Sequence, residues 1–325
     1  MKCSKTVVAL WVGSVVGLAL AEPRRDQGEP MYNGQPLSYW VEVLGGSREQ
    51  PSISPITSWL QEINDIPGSP EAQEALQHIG TNAIPYLVDW IGAKPVPGPR
   101  WSDTIMLAKG APRALRALGS TAAPALLTIV TNKACASLAR GVALESAVSL
   151  LGTNAHALLP LALQCAEEGD DGLARAAVLA LGIVGAGRPE ALEVLEKSLQ
   201  DPWRDAWRNA TLAAVAALGN IGVPTLAREL TSKDPRTRHI VGGLLVECLP
   251  HALTNTAVLA AAADNLRSAD EDRRLVAAEL LWAADQQARG EKPELSIPRR
   301  ERENLLDSAT NILRRLAPQL PERTP

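Results

Sequence analysis

Four histidines (His78, His156, His239 and His251) and three cysteines beyond the N-terminus (Cys135, Cys165 and Cys248) could hold a metal or attack a substrate. Their spacing supports neither role. No two histidines stand one helical turn apart, as a helical zinc site needs, and Cys248-Leu249-Pro250-His251 lacks a second half-site. No Cys-x-x-Cys-His, Gly-x-Ser-x-Gly or phosphate-binding P-loop is present. Gly182-Ile183-Val184-Gly185-Ala186-Gly187 is glycine-rich, but no strand precedes it and it stands where a helical hairpin turns. No catalytic residue, metal ligand or cofactor is therefore expected.

The least inert cluster is Trp203-Arg204-Asp205-Ala206-Trp207-Arg208. On a helix Trp203 and Trp207 share one face and Arg204 and Arg208 a neighbouring stripe, and Trp and Arg are the side chains most enriched at binding hot spots. These four are the candidate partner-binding residues. The alternative is that the tryptophans pack beneath the preceding loop and the arginines join a structural ladder.

The elements that position these residues repeat. A small-residue helix ending in Leu-Gly or Ile-Gly, followed by a second short apolar helix, starts at Ala72, Ala111, Ala143, Ala174 and Thr211. The marker glycines Gly80, Gly119, Gly152, Gly182 and Gly219 are 39, 33, 30 and 37 residues apart, a period of stacked supersecondary units. In the first helix of each unit apolar residues recur at three- and four-residue steps, as in Ala75, Leu76 and Ile79. The glycine is expected to end that helix in the left-handed conformation. Thr81-Asn82, Ser120-Thr121 and Thr153-Asn154 are expected to cap the next helix, with Pro85, Pro124 and Pro224 in its opening turn. Alanine richness lets hairpins approach closely while Leu, Ile and Val fill the seams.

A second recurrence is charged. Asp171, Asp234 and Asp270 precede Arg175, Arg238 and Arg274 by four residues. An aspartate at a helix start caps free amides, and the arginine one turn on can reach that carboxylate or the one in the next repeat. Its register with the repeat makes this a structural ladder.

These units resemble HEAT repeats, especially the short alanine-rich HEAT-like repeats first associated with phycocyanobilin lyases. The resemblance covers roughly residues 70–290. The segment Asn33-Gly34-Gln35-Pro36-Leu37-Ser38-Tyr39-Trp40 is similar to the N-terminal piece of exported bacterial HEAT-repeat proteins. The resemblance implies an all-α solenoid of stacked helical hairpins, a HEAT/armadillo-like superhelix that binds other macromolecules.

Lys2 and Lys5 precede an apolar run from Val7 to Ala21 that closes on Ala19-Leu20-Ala21. That pattern describes a secretory signal peptide, shorter than the roughly 20 apolar residues of a membrane span. Its removal takes two lysines from 32 basic residues and leaves 30 against 36 acidic, a net −6. No basic block stands out, which argues against a nucleic-acid partner. Three mature cysteines leave at least one thiol free, and all three sit among Ala, Leu or Val, the setting of small buried hydrophobes. A Cys135–Cys165 bridge spans about one repeat, although helix axes roughly 8–10 Å apart exceed the Cα separation a disulfide accepts.

The expected order is a signal peptide (1–21), an irregular segment with short helices at Pro36–Leu44 and Ile56–Ile63 (22–69), the solenoid (70–290), and a linker with a capping helix over Arg299–Leu316 (291–325). Trp40, Trp59, Trp90 and Trp101 are expected to pack the N-terminal segment on the first repeat. Pro95, Pro97 and Pro99 exclude regular structure from Gly92 to Arg100. The functional expectation is a non-catalytic scaffold for a protein partner in the periplasm or outside the cell. Two alternatives stay open: a lyase- or chaperone-like factor acting on a cofactor-bearing protein, and a membrane-tethered subunit with the apolar run uncleaved.

Overall fold

The computed structural model describes residues 28–45, 69–92, 110–168, 171–201, 207–293 and 302–318. The expected signal peptide (1–21), the expected helix over Ile56–Ile63, residues 93–100 of the proline-rich loop, Trp59, Trp101, Trp203 and Arg204 lie outside them. The helices in chain order are α1 (Leu37–Gly45), α2 (Pro70–Ile79), α3 (Ile84–Gly92), α4 (110–117), α5 (Ala123–Thr131), α6 (Ser137–Leu151), α7 (Leu159–Glu167) and α8 (Asp171–Val184). They continue as α9 (Pro189–Gln200), α10 (Arg208–Ala217), α11 (Val223–Glu229), α12 (Pro235–Glu247), α13 (Thr256–Leu266), α14 (Glu271–Ala288) and α15 (Arg302–Leu316). The fold is an all-α array of hairpins. It divides into two compact units, residues 1–180 and 181–325.

In the first unit the chain enters through two short antiparallel strands, Met31–Tyr32 and Gln35–Pro36. Asn33 and Gly34 both take positive φ, 48° and 77°, the tight turn an Asn-Gly pair favours. Pro36 belongs to this hairpin, so the following helix starts at Leu37, whose amide donates to Pro30 O at 2.9 Å. Helix α1 buries Leu37, Val41 and Leu44 completely and packs on α2. Tyr32 stacks on His78 of α2 at 4.9 Å and meets Trp40 edge-on at 6.0 Å. The aromatic residues thus join the entry segment to the first hairpin.

Four of the five marker glycines do what their position implies: Gly80, Gly119, Gly152 and Gly219 have φ of 60°, 70°, 49° and 73°. Gly182 does not. It lies inside α8, where an added Cβ would stand 2.8 Å from Ala214 Cα, and the turn's positive φ falls on Gly187. The missing side chain there serves close helix packing instead of a cap. The polar residues after the glycines also act differently from expectation. Gly80–Ala83, Gly119–Ala122 and Gly152–Leu158 are 3₁₀ turns, and the helices at Ala123 and Leu159 receive no side-chain cap hydrogen bond. The first amides after all three turns donate instead to turn carbonyls: Ile84 to Thr81 O, Ala123 to Ser120 O and Leu159 to His156 O. Main-chain bonds leave nothing for the threonine or asparagine to cap. Prolines stand in the opening turns of the second helices, at Pro85, Pro124 and Pro224 and also at Pro160.

In the second unit first helices stack on first helices, α10 on α12 on α14, and second helices on second, α11 on α13 on α15. The hairpin pattern therefore continues past Gly219 without the Leu-Gly phrase. Asp234 and Asp270 take over as N-caps, accepting from Arg236 N and Thr237 N and from Asp272 N. The last layer buries Leu259, Ala277, Ala278 and Leu281 against Leu305, Ala309 and Ile312 of α15, whose Asn311 and Arg314 face water. Helix α15 thus covers the apolar face of α13 and α14.

Candidate functional site

Arginines at the starts of first helices hold successive hairpins together. In α6, Arg140 Nε donates to Val130 O at 2.7 Å and Nη1 to Glu168 Oε2 at 2.7 Å. At the start of α10, Arg208 Nη1 donates to Leu199 O at 2.9 Å and Nη2 to Glu229 Oε2 at 2.5 Å. In α12, Arg238 Nη1 donates to Ser232 O at 2.9 Å and Lys233 O at 3.1 Å. Its Nη2 reaches Asp270 Oδ2 at 3.2 Å and Asp272, which also accepts from Nε at 3.1 Å. Arg140 and Arg208 each take one carbonyl from the last turn of the preceding helix and a glutamate at the end of their own hairpin, whereas Arg238 takes two carbonyls from the preceding loop and carboxylates at the start of the next hairpin.

Of the three expected pairs, Arg238 shows the ladder, in its next-repeat form. Asp234 does not pair with Arg238; its carboxylate accepts from the α12 amides and from Thr237 Oγ1 at 2.7 Å. The Thr237 hydroxyl is the main cause that holds its pKa below the ordinary value. Burial works against the Asp272 carboxylate, but hydrogen bonds from Arg238 and His239 with their charges outweigh it and keep the group acidic. Arg274 bonds Ser268 O and Ala269 O, both at 2.9 Å. Arg140 and Arg208 have no aspartate four residues upstream, so the Asp-x-x-x-Arg spacing overlooked them.

Of the four candidate partner-binding residues, Trp207 and Arg208 are described. Trp207 is half-buried and its carbonyl accepts from Thr211 Oγ1 at 3.2 Å. Arg208 is committed to Leu199 and Glu229 on one side and lines an open groove of about 810 Å³ on the other. The groove runs between α10 and α12, along the Ser232–Asp234 loop and past Arg236 and His239. His239 Nε2 lies 2.9 Å from Asp272 Oδ1.

No group of three or more His, Cys, Asp or Glu among the described residues is arranged to hold a metal, and no described helix is long and apolar enough to cross a membrane. Cys135, Cys165 and Cys248 carry free thiols. Burial pushes the Cys165 and Cys248 thiols up, more than Arg140 lowers Cys165. Thiol labelling of the folded chain at neutral pH is therefore expected to be slow at both, and rapid modification of either would contradict the geometry.

The first unit holds one carboxylate against its burial. Desolvation raises the pKa of Glu145 in α6, although Arg175 and Arg116 both pull it down. Arg116 is itself lowered by burial and by Arg113, and its buried Nε has no hydrogen-bond partner among the described residues. An acid with a raised pKa in the folded state adds stability while protonated and loses it as pH rises through the folded value. Glu145→Gln should therefore track the wild type near and below the ordinary glutamate value of 4.5, then melt progressively higher than it as pH rises. Parallel melting-temperature curves from acid to neutral pH would show that Glu145 is not the group responsible.

Stacked two-helix repeats, joined by arginines that bridge consecutive hairpins, define an α-solenoid of HEAT-like type. The family model for the PBS lyase HEAT-like repeat matches residues 173–201, across α8 and α9. The chain thus carries a HEAT-like repeat. No curated protein and no solved structure matches the chain significantly.

Proposed function

We propose that this chain is an exported, non-catalytic scaffold whose HEAT-like hairpins hold a protein partner. The observation that supports it is the stack itself. Hairpins that bury their apolar faces only against neighbours present the same surface at every step, the arrangement repeat proteins use for extended recognition. Export rests on Lys2, Lys5, the Val7–Ala21 run and its Ala-x-Ala end. The proposal includes no cofactor, metal or nucleic acid, and a membrane attachment only if the apolar run stays on the chain.

The test is affinity capture with the full chain from the envelope fraction of its native host. One protein should be retained in a fixed ratio, and N-terminal sequencing should show the bait starting at Glu22. Retention of nothing beyond a control bait would defeat the scaffold. An intact Met1 on membrane-bound material would defeat the export reading and favour the tethered alternative.

A further inference from the structure

The groove between α10 and α12 brings two available cations to one concave surface. Several cationic side chains of the second unit are taken up by neighbours. Arg238 is wholly buried among carbonyls and carboxylates, Arg228 pairs with Glu196 at 3.0 Å, and Arg273 donates to Thr231 O at 3.1 Å. Within the groove Arg208 is spent on Leu199 and Glu229, and His239 on Asp272. Asp234, the acid on its wall, is spent on the amides and hydroxyl at the start of α12. Lys233 and Arg236 are exposed, line the same space, and form no ion pair or side-chain hydrogen bond among the described residues, while the charge of Arg236 also acts on the nearby Asp234 carboxylate. Beside them Ile240 offers a half-buried apolar surface and Asn209 an exposed carboxamide.

We propose that this groove docks an acidic segment of a protein partner, with carboxylates on Lys233 and Arg236 and its backbone along Asn209 and Ile240. The proposal rests on the protein-binding reading given above. Charge complementarity selects the occupant: two exposed cations outside any ion pair suit one or two carboxylates, and opposite charge steers such a segment in. A nucleic acid would need a longer row of cations to neutralise successive phosphates. The whole chain, at net −4, would repel such a polyanion, whereas a short acidic segment meets only the local field. The Asn209 carboxamide on the groove wall can both donate to and accept from the backbone of such a segment.

The probe is a fluorescent peptide of alternating glutamate and glycine, titrated with the full chain and read by anisotropy. A glutamine-for-glutamate peptide and a short single-stranded oligonucleotide serve as controls. The wild type should bind the glutamate peptide measurably, more weakly as salt rises, and neither control as well. Reversing both exposed cations, Lys233→Glu with Arg236→Glu, should weaken binding by about tenfold or more. The same charge change outside the groove, Arg188→Glu with Lys292→Glu, should weaken it far less. All four side chains are exposed, so the variants should keep the helical spectrum and melting temperature; a milder Lys233→Gln, Arg236→Gln pair gives the same reading if they do not. Absence of peptide binding by the wild type, equal loss in both double variants, or tighter binding of the oligonucleotide would each overturn the proposal. A partner captured equally well by wild type and groove variant would also overturn it while leaving the scaffold standing. The scaffold alone fails if the peptide binds through the groove and no host protein is retained.

Discussion

Arg238→Ala is expected to destabilise the second unit by about 2–4 kcal/mol, because it removes a buried cation and leaves its partners behind. Arg238 is 0% exposed, and its loss strips Ser232 O, Lys233 O, Asp270 and Asp272 of one donor each or more. The partial exposure of both aspartates keeps the cost below that of a fully buried ion pair, since water can reach them once the guanidinium is gone. Solenoid stability is approximately a sum of local units and interfaces. Hydrogen-exchange protection should therefore fall mainly from α12 to α14, with the first unit's amides unchanged. Uniform protection in the variant would mean that the ladder contributes little.

Gly222→Ala should cost about 3 kcal/mol through overpacking, although it adds one methyl group. A Cβ on Gly222 would lie 2.1 Å from Val215 O and 3.0 Å from Val215 Cγ1, so backbone would have to move. Gly222 precedes α11 and its carbonyl accepts from Leu226 N, so that shift would disturb the start of the helix. Gly242→Ala, inside α12, is the matched contrast. Its nearest neighbour would be Val276 Cγ1 at 3.6 Å, an ordinary contact, and alanine should gain about 0.5–1 kcal/mol over glycine in a helix interior. Denaturation of both variants tests the pair: equal effects would show that backbone crowding is not what selects glycine at 222.

These two residues also mark how far the sequence could be read. Asp234 and Arg238 stood out through their spacing and their register with the repeat. The acids that complete the clamps did not, because Glu168, Glu229 and Asp272 lie 28, 21 and 34 residues from their arginines. Only stacking brings them together. The glycines divide in the same way. Gly80, Gly119, Gly152 and Gly219 end helices, a local requirement that leaves a local signature, and the HEAT-like resemblance followed from it. Gly182 carries the same Leu-Gly phrase but answers to Ala214, 32 residues on, so the phrase placed the turn too early. The groove was the least legible feature. Its walls come from two helices, and its charge depends on which arginines the ladder had already taken.

The loops around α12 and α14 share one design. Ser232-Lys233-Asp234 and Ser268-Ala269-Asp270 each fold with the serine hydroxyl accepting from the aspartate amide, at 3.3 and 3.1 Å. Each then offers two carbonyls to an arginine four residues past its aspartate. The junctions are interchangeable parts. Excising residues 235–270 would splice Asp234 directly to Glu271 and present Arg274 with the carbonyls of Ser232 and Lys233, the same chemistry it has now. Loss of half that length would strand an arginine with neither carbonyl nor acid. Shared loop chemistry of this kind sets the whole hairpin, and not the single helix, as the unit in which such a stack can be lengthened or shortened.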